Sequence, residues 1–218
     1  MLYLVATPIG DTLEISLRAL ELLKNTELII CESTKETSKL LRSHGISGKR
    51  YELLNEHSTA EDVKDLAAQC AQSDAVLVSD CGTPGFCDPG ADLVKLCRQK
   101  NIPVKSVLGA SSLMGLLSLS GERLDQFLFR GFLPAENEAR QKALIELQKE
   151  RRPIVLMDTP YRLKKTLNDL AEHFPKRRAL LALNLSQESE VLLEGPGEKL
   201  LNELPFEKAE FMLLIYGV

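Results

Sequence analysis

Three glycines, two prolines and two aspartates lie within residues 79–90, and this combination suits a ligand site. The stretch directly follows the apolar run 75–78, which is typical of a buried strand. Glycines let backbone N–H and C=O groups approach a ligand closely, prolines hold the shape of a loop, and a carboxylate binds hydroxyls or attracts a cation. The alternative is a rigid strand-to-helix turn in which Asp88 caps the next helix, and this stretch alone is compatible with both.

Two further glycine-bearing loops, residues 6–12 and 108–112, also follow predicted strands. Because the carboxyl ends of parallel strands lie at one edge of a sheet, we expect the three loops to line a single pocket. The chain has no G-x-G-x-x-G after its first strand and no G-x-x-x-x-G-K-[ST] segment. The absence of both disfavours a dinucleotide or a nucleoside triphosphate as the ligand.

Short apolar runs separated by helical patterns must position these loops. Val63, Leu66, Ala67 and Cys70, for example, have the spacing that places apolar side chains on one helix face. Strands and helices in alternation predict a largely parallel sheet that is covered on both sides. The predicted strands are residues 2–6, 28–31, 75–78, 103–107, 154–157, 179–183, 191–194 and 211–216.

The predicted fold class is therefore α/β, with two α/β domains, residues 1–109 and 110–218. Small residues after Leu108 lead from a strand into a helix and mark the break between the halves. The first half predicts a mostly parallel sheet. The second half has fewer helices and clusters its last strands, which predicts a mixed sheet.

Composition narrows the classes of partner. The chain has 218 residues, with 27 basic and 31 acidic side chains and a net charge of −4, so any RNA contact must be local rather than global. Five cysteines without a C-x-x-C pair argue against a disulfide framework and a metal site. No apolar run reaches the length of a membrane span, and the first residues do not resemble a secretory signal, so we expect no membrane partner and a cytoplasmic location.

Several segments together resemble the tetrapyrrole methylase family, the class III S-adenosylmethionine-dependent methyltransferases. The resemblance spans nearly the whole chain, and within the family it is greatest to the branch that methylates ribose 2′-hydroxyls of bacterial 16S ribosomal RNA. It implies two α/β domains that hold S-adenosylmethionine in the cleft between them, a homodimer and no metal. The matching segments are residues 7–10, 17–20, 79–80, 82–85, 88–90, 109–111, 131–134, Pro160 and 162–163.

The resemblance also implies which residues contact the cofactor, many of them through the backbone. They are Pro8, Gly10, Asp80, Gly82, Thr83, Phe86, Ser111, Met157, Leu183 and Met212.

A hydroxyl acceptor must lose a proton, so a carboxylate near the methyl group would assist the reaction. Glu32 and Asp158 each follow a buried apolar run, and by position each corresponds to an acid of the family, so both are predicted to be catalytic. The alternatives are that Glu32 caps a helix together with Ser33 and Thr34, and that Asp158 forms an Asx turn before Pro160.

The acceptor side of the chain departs from the family pattern, with Ser33, Glu36 and Asn184 among the differing positions. The basic residues 140–152 could contact RNA, although a charge run on a helix is usually a solvated face.

The departures on the acceptor side leave two alternatives to an RNA methyltransferase. One is a methyltransferase that acts on a tetrapyrrole or another small molecule, and the other is a non-catalytic sensor or assembly protein that binds S-adenosylmethionine.

Overall fold

The computed structural model describes residues 1–218 and divides into two compact units, Met1–Ser111 and Ser112–Val218. Each unit carries its own five-stranded sheet with helices packed against it. The α/β fold class is confirmed. None of the helices is long and apolar enough to cross a membrane, and no group of three or more His, Cys, Asp or Glu side chains is placed to hold a metal ion.

The first unit alternates strands and helices along the chain, which allows every strand to run in the same direction. Its elements are β1 (Leu2–Val5), α1 (Leu17–Asn25), β2 (Leu28–Cys31), α2 (Thr34–Ser43), β3 (Arg50–Leu53), α3 (Ala60–Gln72), β4 (Ala75–Leu77), α4 (Ala91–Gln99) and β5 (Val104–Val107). The strand order is β3-β2-β4-β1-β5, and all pairs are parallel. The carboxyl ends of all five strands therefore lie at one edge of the sheet.

Both faces of this sheet are buried. In β2, Leu28 and Ile30 pack on one side while Ile29 and Cys31 pack on the other, as the period of two along a strand requires. A strand covered on both faces must be apolar throughout, which explains why β2 is a continuous apolar run.

The second unit contains both parallel and antiparallel strands. Its elements are α5 (Ser112–Leu119), β6 (Leu128–Gly131), α6 (Asn137–Leu147), β7 (Ile154–Asp158), α7 (Leu163–His173), β8 (Ala179–Leu183), β9 (Val191–Gly195), α8 (Gly197–Glu203) and β10 (Phe211–Ile215). The strand order is β6-β7-β10-β8-β9, in which only β6 and β7 pair in parallel. The predicted mixed sheet is confirmed.

One edge of the second sheet collects several turns. Phe211, at the start of β10, is opposite Asp158 at the end of β7 and Leu183 at the end of β8. The turn after β7 and the residues before β10 are consequently neighbours. The end of β6 lies at the same edge because β6 runs parallel to β7.

Candidate active site

The turns after β1 and β4 are joined by a short antiparallel bridge between Thr7 and Gly82. Thr7 N–H donates to the Gly82 carbonyl at 2.8 Å, and Gly82 N–H donates to the Thr7 carbonyl at 3.1 Å. The Thr7 hydroxyl also donates to the carbonyl of Ser79 at 3.2 Å. Gly82 adopts φ +78°, a left-handed conformation that favours glycine, so its identity follows from the shape of this turn.

The turn after β5 joins the other two. A Cβ added to Gly109 would lie 3.0 Å from the Ala6 Cβ, so the backbone after β5 passes close to the end of β1. The Thr83 hydroxyl is 3.5 Å from the carbonyl of Ala110 and donates to it. The three glycine-bearing turns therefore meet at one edge of the first sheet, as their sequence positions predict.

Three carboxylates gather at this same edge: Glu32 after β2, and Asp80 and Asp88 after β4. The pKa of Glu32 is raised to about 7, first by burial and then by the charges of Asp88 and Asp80, while hydrogen bonding from the Asp80 backbone lowers it. Burial raises the pKa of Asp88 to about 6 against a lowering hydrogen bond from the Ser79 side chain, and Asp80 adds a smaller increase. Burial also raises the pKa of Asp80 itself. Each of these acids therefore keeps its proton to a higher pH than a solvated carboxyl does.

Glu32 is not a helix cap. The residue that caps α2 is Ser33, whose hydroxyl accepts the N–H of Glu36 at 3.3 Å. The Oε1 atom of Glu32 is buried and has no hydrogen-bond partner within the protein. Asp88 is not a cap either, because the N-cap residue of α4 is Gly90 and no side chain caps this helix. Both capping alternatives are wrong, and the two acids are available for other chemistry.

Asp158 lies in the second unit, and its carboxylate is fully engaged. One oxygen, Oδ2, accepts Arg140 Nη1 at 3.1 Å. The other, Oδ1, accepts the Thr159 backbone N–H at 2.9 Å and Arg162 Nη1 at 3.2 Å. The side chain is only 1% exposed. Because Asp158 is buried and binds two guanidinium groups, it holds the side chains of Arg140 and Arg162 in place.

Arg140 is the centre of this buried network. Its Nε donates to Asp169 at 2.6 Å, and its Nη2 donates to the Thr166 hydroxyl at 2.9 Å. The remaining nitrogen, Nη1, reaches both Asp158 and the Pro134 carbonyl, the latter at 3.4 Å. Arg140 and the two aspartates are buried and the partly exposed Arg162 completes the charge balance, which buried ion pairs need in order to be stable.

The prediction for Arg140 was wrong on both alternatives, because its side chain is 1% exposed and forms neither an RNA contact nor a solvated face. A sequence signal for its burial exists. Arg140 lies four residues before Leu144 and seven before Leu147, which are both buried, so it occupies the apolar stripe of α6.

The predicted cofactor residues fall into two sets, one in each unit. In the first unit, Pro8 and Gly82 are buried, and Ser111 is half-buried. Gly10, Asp80, Thr83 and Phe86 are exposed in the same group of turns. These seven residues are brought together by the convergence of the turns.

In the second unit, Met157 and Met212 are opposite each other on β7 and β10 and pack in the same hydrophobic cluster. Leu183 packs in the other cluster, on the opposite face of the sheet, and its side chain is fully buried. A ligand at this edge would meet Leu183 through its backbone.

The profile of the family described as Tetrapyrrole (Corrin/Porphyrin) Methylases matches residues 1–201. The chain belongs to this family.

The names of individual similar proteins describe a more specific activity than the family description does. A protein of Neisseria meningitidis serogroup B, "Ribosomal RNA small subunit methyltransferase I", is 36% identical over 220 residues, which cover 99% of this chain and 75% of the relative. A protein of Synechocystis sp. with the same name is 38% identical over 222 residues, covering 100% of this chain and 79% of the relative. The chain is therefore a methyltransferase of this family.

Solved structures confirm the fold. Uroporphyrin-III C-methyl transferase from Thermus thermophilus, complexed with S-adenosyl homocysteine, superposes with a TM-score of 0.67 at 18% identity. The match covers 99% of this chain and 96% of the other.

Proposed function

We propose that this protein transfers the methyl group of S-adenosylmethionine to a ribose 2′-hydroxyl of 16S ribosomal RNA. The observation that carries the proposal is the 36–38% identity, over 99–100% of the chain, to two proteins named for methylation of small-subunit ribosomal RNA. The aligned regions cover both units, including the sheet edges where the turns lie.

The turns of the first unit suit S-adenosylmethionine in shape and charge. Gly10 and Gly109 are exposed and leave their backbone groups accessible, whereas Gly82 shapes the turn through its two hydrogen bonds to Thr7. The carboxylate of Asp80 can accept hydrogen bonds from ribose hydroxyls or an ammonium group. The carboxylates of Glu32 and Asp88 add negative potential near a cofactor that carries a sulfonium and an ammonium. The cofactor supplies a methyl carbon that its sulfonium has already activated. The residues proposed to hold it are Pro8, Gly10, Asp80, Gly82, Thr83, Phe86 and Ser111, together with Met157, Leu183 and Met212 of the second unit.

Glu32 is the proposed proton acceptor. It lies at the carboxyl end of β2, its Oε1 atom has no partner, and its pKa of about 7 is close to the optimum for a general base at neutral pH. Ionised Glu32 would accept the proton of the acceptor hydroxyl. S-adenosylmethionine would supply the methyl group to the hydroxyl oxygen and would leave as neutral S-adenosylhomocysteine.

The sequence predicts a catalytic role for Asp158. We propose instead that Asp158 is a positioning residue for Arg162. Its two oxygens already accept three hydrogen bonds, so it has little capacity left to take a proton from a substrate. What it does is hold Arg162, whose side chain is one-third exposed, at the edge of the second sheet.

The direct test is methyl transfer from radiolabelled S-adenosylmethionine to small ribosomal subunits taken from cells that lack this gene. Label is expected in 16S RNA and, after digestion to nucleosides, in a 2′-O-methylated ribose. Subunits from cells that retain the gene are the matched control and should accept little label. Label in a base, or transfer only to a tetrapyrrole, would contradict the proposal, and binding of S-adenosylmethionine without any transfer would favour a sensor.

Membership of the family also supports a homodimer that works in the cytoplasm without a metal. Sedimentation velocity at micromolar concentration should give twice the mass of the chain. Activity should persist in the presence of a chelator.

A further inference from the structure

An exposed aromatic ring lies at the edge of the second sheet, next to the buried network of Arg140. Tyr161 belongs to a short 3-10 helix, Pro160–Arg162, that directly follows β7, and it is 78% exposed. The Lys208 ammonium, from the segment before β10, lies 4.5 Å from the centre of the ring. A cation at this distance is attracted by the negative face of the ring, so lysine and tyrosine form one small surface.

A second cation, Arg162, is the next residue in the chain after Tyr161. Arg162 is held through Nη1 by Asp158, and its one-third exposed side chain retains further N–H donors. Lys164 is paired with Glu207 at 2.9 Å and so contributes little net charge. Lys208 and Arg162 therefore supply the cations at this surface, in a chain whose net charge is −4.

Buried residues next to Tyr161 and Arg162 hold this surface in position. Leu163, which follows Arg162, is fully buried, and Asp158, which precedes the short helix, is fixed by Arg140. Arg140 also binds the Pro134 carbonyl and so ties the turn after β6 to the turn after β7. Side chains on a turn anchored in this way lose little freedom when a ligand binds, which favours affinity.

The turn after β6 repeats the combination of aromatic ring and guanidinium. Phe132 is 40% exposed, and Arg130 donates to its carbonyl at 2.8 Å. Since β6 runs parallel to β7, both pairs lie at the same edge of the sheet. Open rings interleaved with arginine and lysine are the usual means by which proteins bind single-stranded RNA, because bases stack on rings and phosphates pair with cations.

We propose that Tyr161, Lys208 and Arg162 form the surface that binds an unpaired nucleotide of the RNA acceptor, with Tyr161 stacking on its base and the two cations facing its phosphates. The proposal rests on the proposed function, since it names the part of the chain that recognises that substrate. A base-paired RNA should not bind this surface in the same way, because paired bases stack on each other and offer no open face to Tyr161.

Binding of a fluorescent twelve-nucleotide single-stranded RNA, measured by anisotropy, tests this surface without any need for catalysis. Tyr161→Ala should weaken binding about 5- to 160-fold, the range expected for loss of one stacked base, whereas Tyr161→Phe keeps the ring and should stay close to the unchanged protein. Lys208→Ala should reduce the slope of log affinity against log salt by about 0.7, as for one phosphate contact to a single strand. The same RNA in duplex form should bind more weakly.

Lys176→Ala is the matched control. Lys176 is an exposed cation before β8, at the opposite edge of the same sheet, so its removal alters net charge equally without touching the surface. Equal affinity of Tyr161→Ala and the unchanged protein, an equal loss in Lys176→Ala, or no binding of single-stranded RNA by the unchanged protein would overturn the proposal. So would a change of oligomeric state in Tyr161→Ala, which would make the surface a contact between copies.

Methyl-transfer assays separate this proposal from the proposed function. Tyr161→Ala should raise KM for ribosomal subunits while its affinity for S-adenosylmethionine, measured by calorimetry, stays unchanged. If the unchanged protein methylates ribosomal RNA and Tyr161→Ala does so with the same KM, only the surface is refuted. If the unchanged protein methylates no RNA at all, the proposed function fails whatever the binding measurements show.

Discussion

Thr7 and Gly82 exchange two backbone hydrogen bonds, at 2.8 and 3.1 Å, although they are 75 residues apart in the chain. This bridge fixes the turn after β1 against the turn after β4, and the turn after β5 packs against both through Gly109 and Ala110. The group of turns is thus a rigid unit held mainly by backbone contacts. Its shape depends on glycine at the position where φ is +78°.

Gly82→Val is expected to abolish binding of S-adenosylmethionine while leaving the chain folded. A side chain at this left-handed position costs about 1–2 kcal/mol or more and would contact Ile9, so the turn must change shape. Calorimetry measures the affinity, and thermal unfolding measures the stability.

Gly48→Val is the matched control for this change. Gly48 has φ +72° and open space around its Cβ position, and its neighbour Lys49 bonds to the carbonyls of Lys24 and Thr26 rather than to the turns, so the backbone strain is similar but lies elsewhere. Its affinity should remain that of the unchanged protein. Loss of affinity in both variants would mean that general destabilisation, and not the site, is responsible.

Glu32→Gln is expected to lower kcat by about 100-fold or more, because the amide cannot accept the hydroxyl proton. In the unchanged protein, kcat should fall as the pH drops below the pKa of Glu32, which is about 7, and this dependence should be missing from the variant. Glu56→Gln, at an acid that is fully solvated, should behave like the unchanged protein. A pH profile that survives in Glu32→Gln would assign the proton to another group.

The raised pKa values also predict how stability changes with pH. Above pH 4.5 the unfolded chain releases the Glu32 proton, whereas the folded chain keeps it up to about pH 7, so the free energy of unfolding should fall as pH rises between these values. Asp88 contributes in the same direction between its ordinary pKa of 3.8 and about 6.

Urea unfolding at pH 5 and pH 8 measures this effect. Glu32→Gln cannot ionise, so its stability relative to the unchanged protein should increase from pH 5 to pH 8. A constant difference between the two proteins would show that Glu32 is already ionised when the chain is folded at pH 5.

Arg140→Leu should destabilise the second unit by about 3–5 kcal/mol, because Asp158 and Asp169 would lose their shared buried counter-ion. Arg152→Leu removes an exposed arginine that pairs with Glu150 and should cost less than about 1 kcal/mol. Urea denaturation measures both. Similar losses in the two variants would mean that the network contributes no more than a surface ion pair.

Most strands were predictable because a strand covered on both faces must be apolar along its length, as β2, β4 and β8 are. The strands that were missed, β3 and β6, lie at sheet edges. An edge strand is only partly covered, so Arg50 and Arg130 are tolerated within them and no apolar run appears. Local patterning could not reveal these two strands because each lacks the continuous apolar run by which the other strands were recognised.

The sequence by itself determined the alternation of strands and helices, the glycine turns at strand ends and the acids beside them, because these depend on local conformational preferences and on burial. Only the tertiary structure decided the burial, the charged neighbours and the hydrogen-bond partners of those groups. The pKa of Glu32 is raised to about 7 first by burial and then by the charges of Asp88 and Asp80, and both oxygens of Asp158 bind the guanidinium groups of Arg140 and Arg162. Electrostatic interactions depend on distance and burial, and neither is encoded in the spacing of residues along a chain.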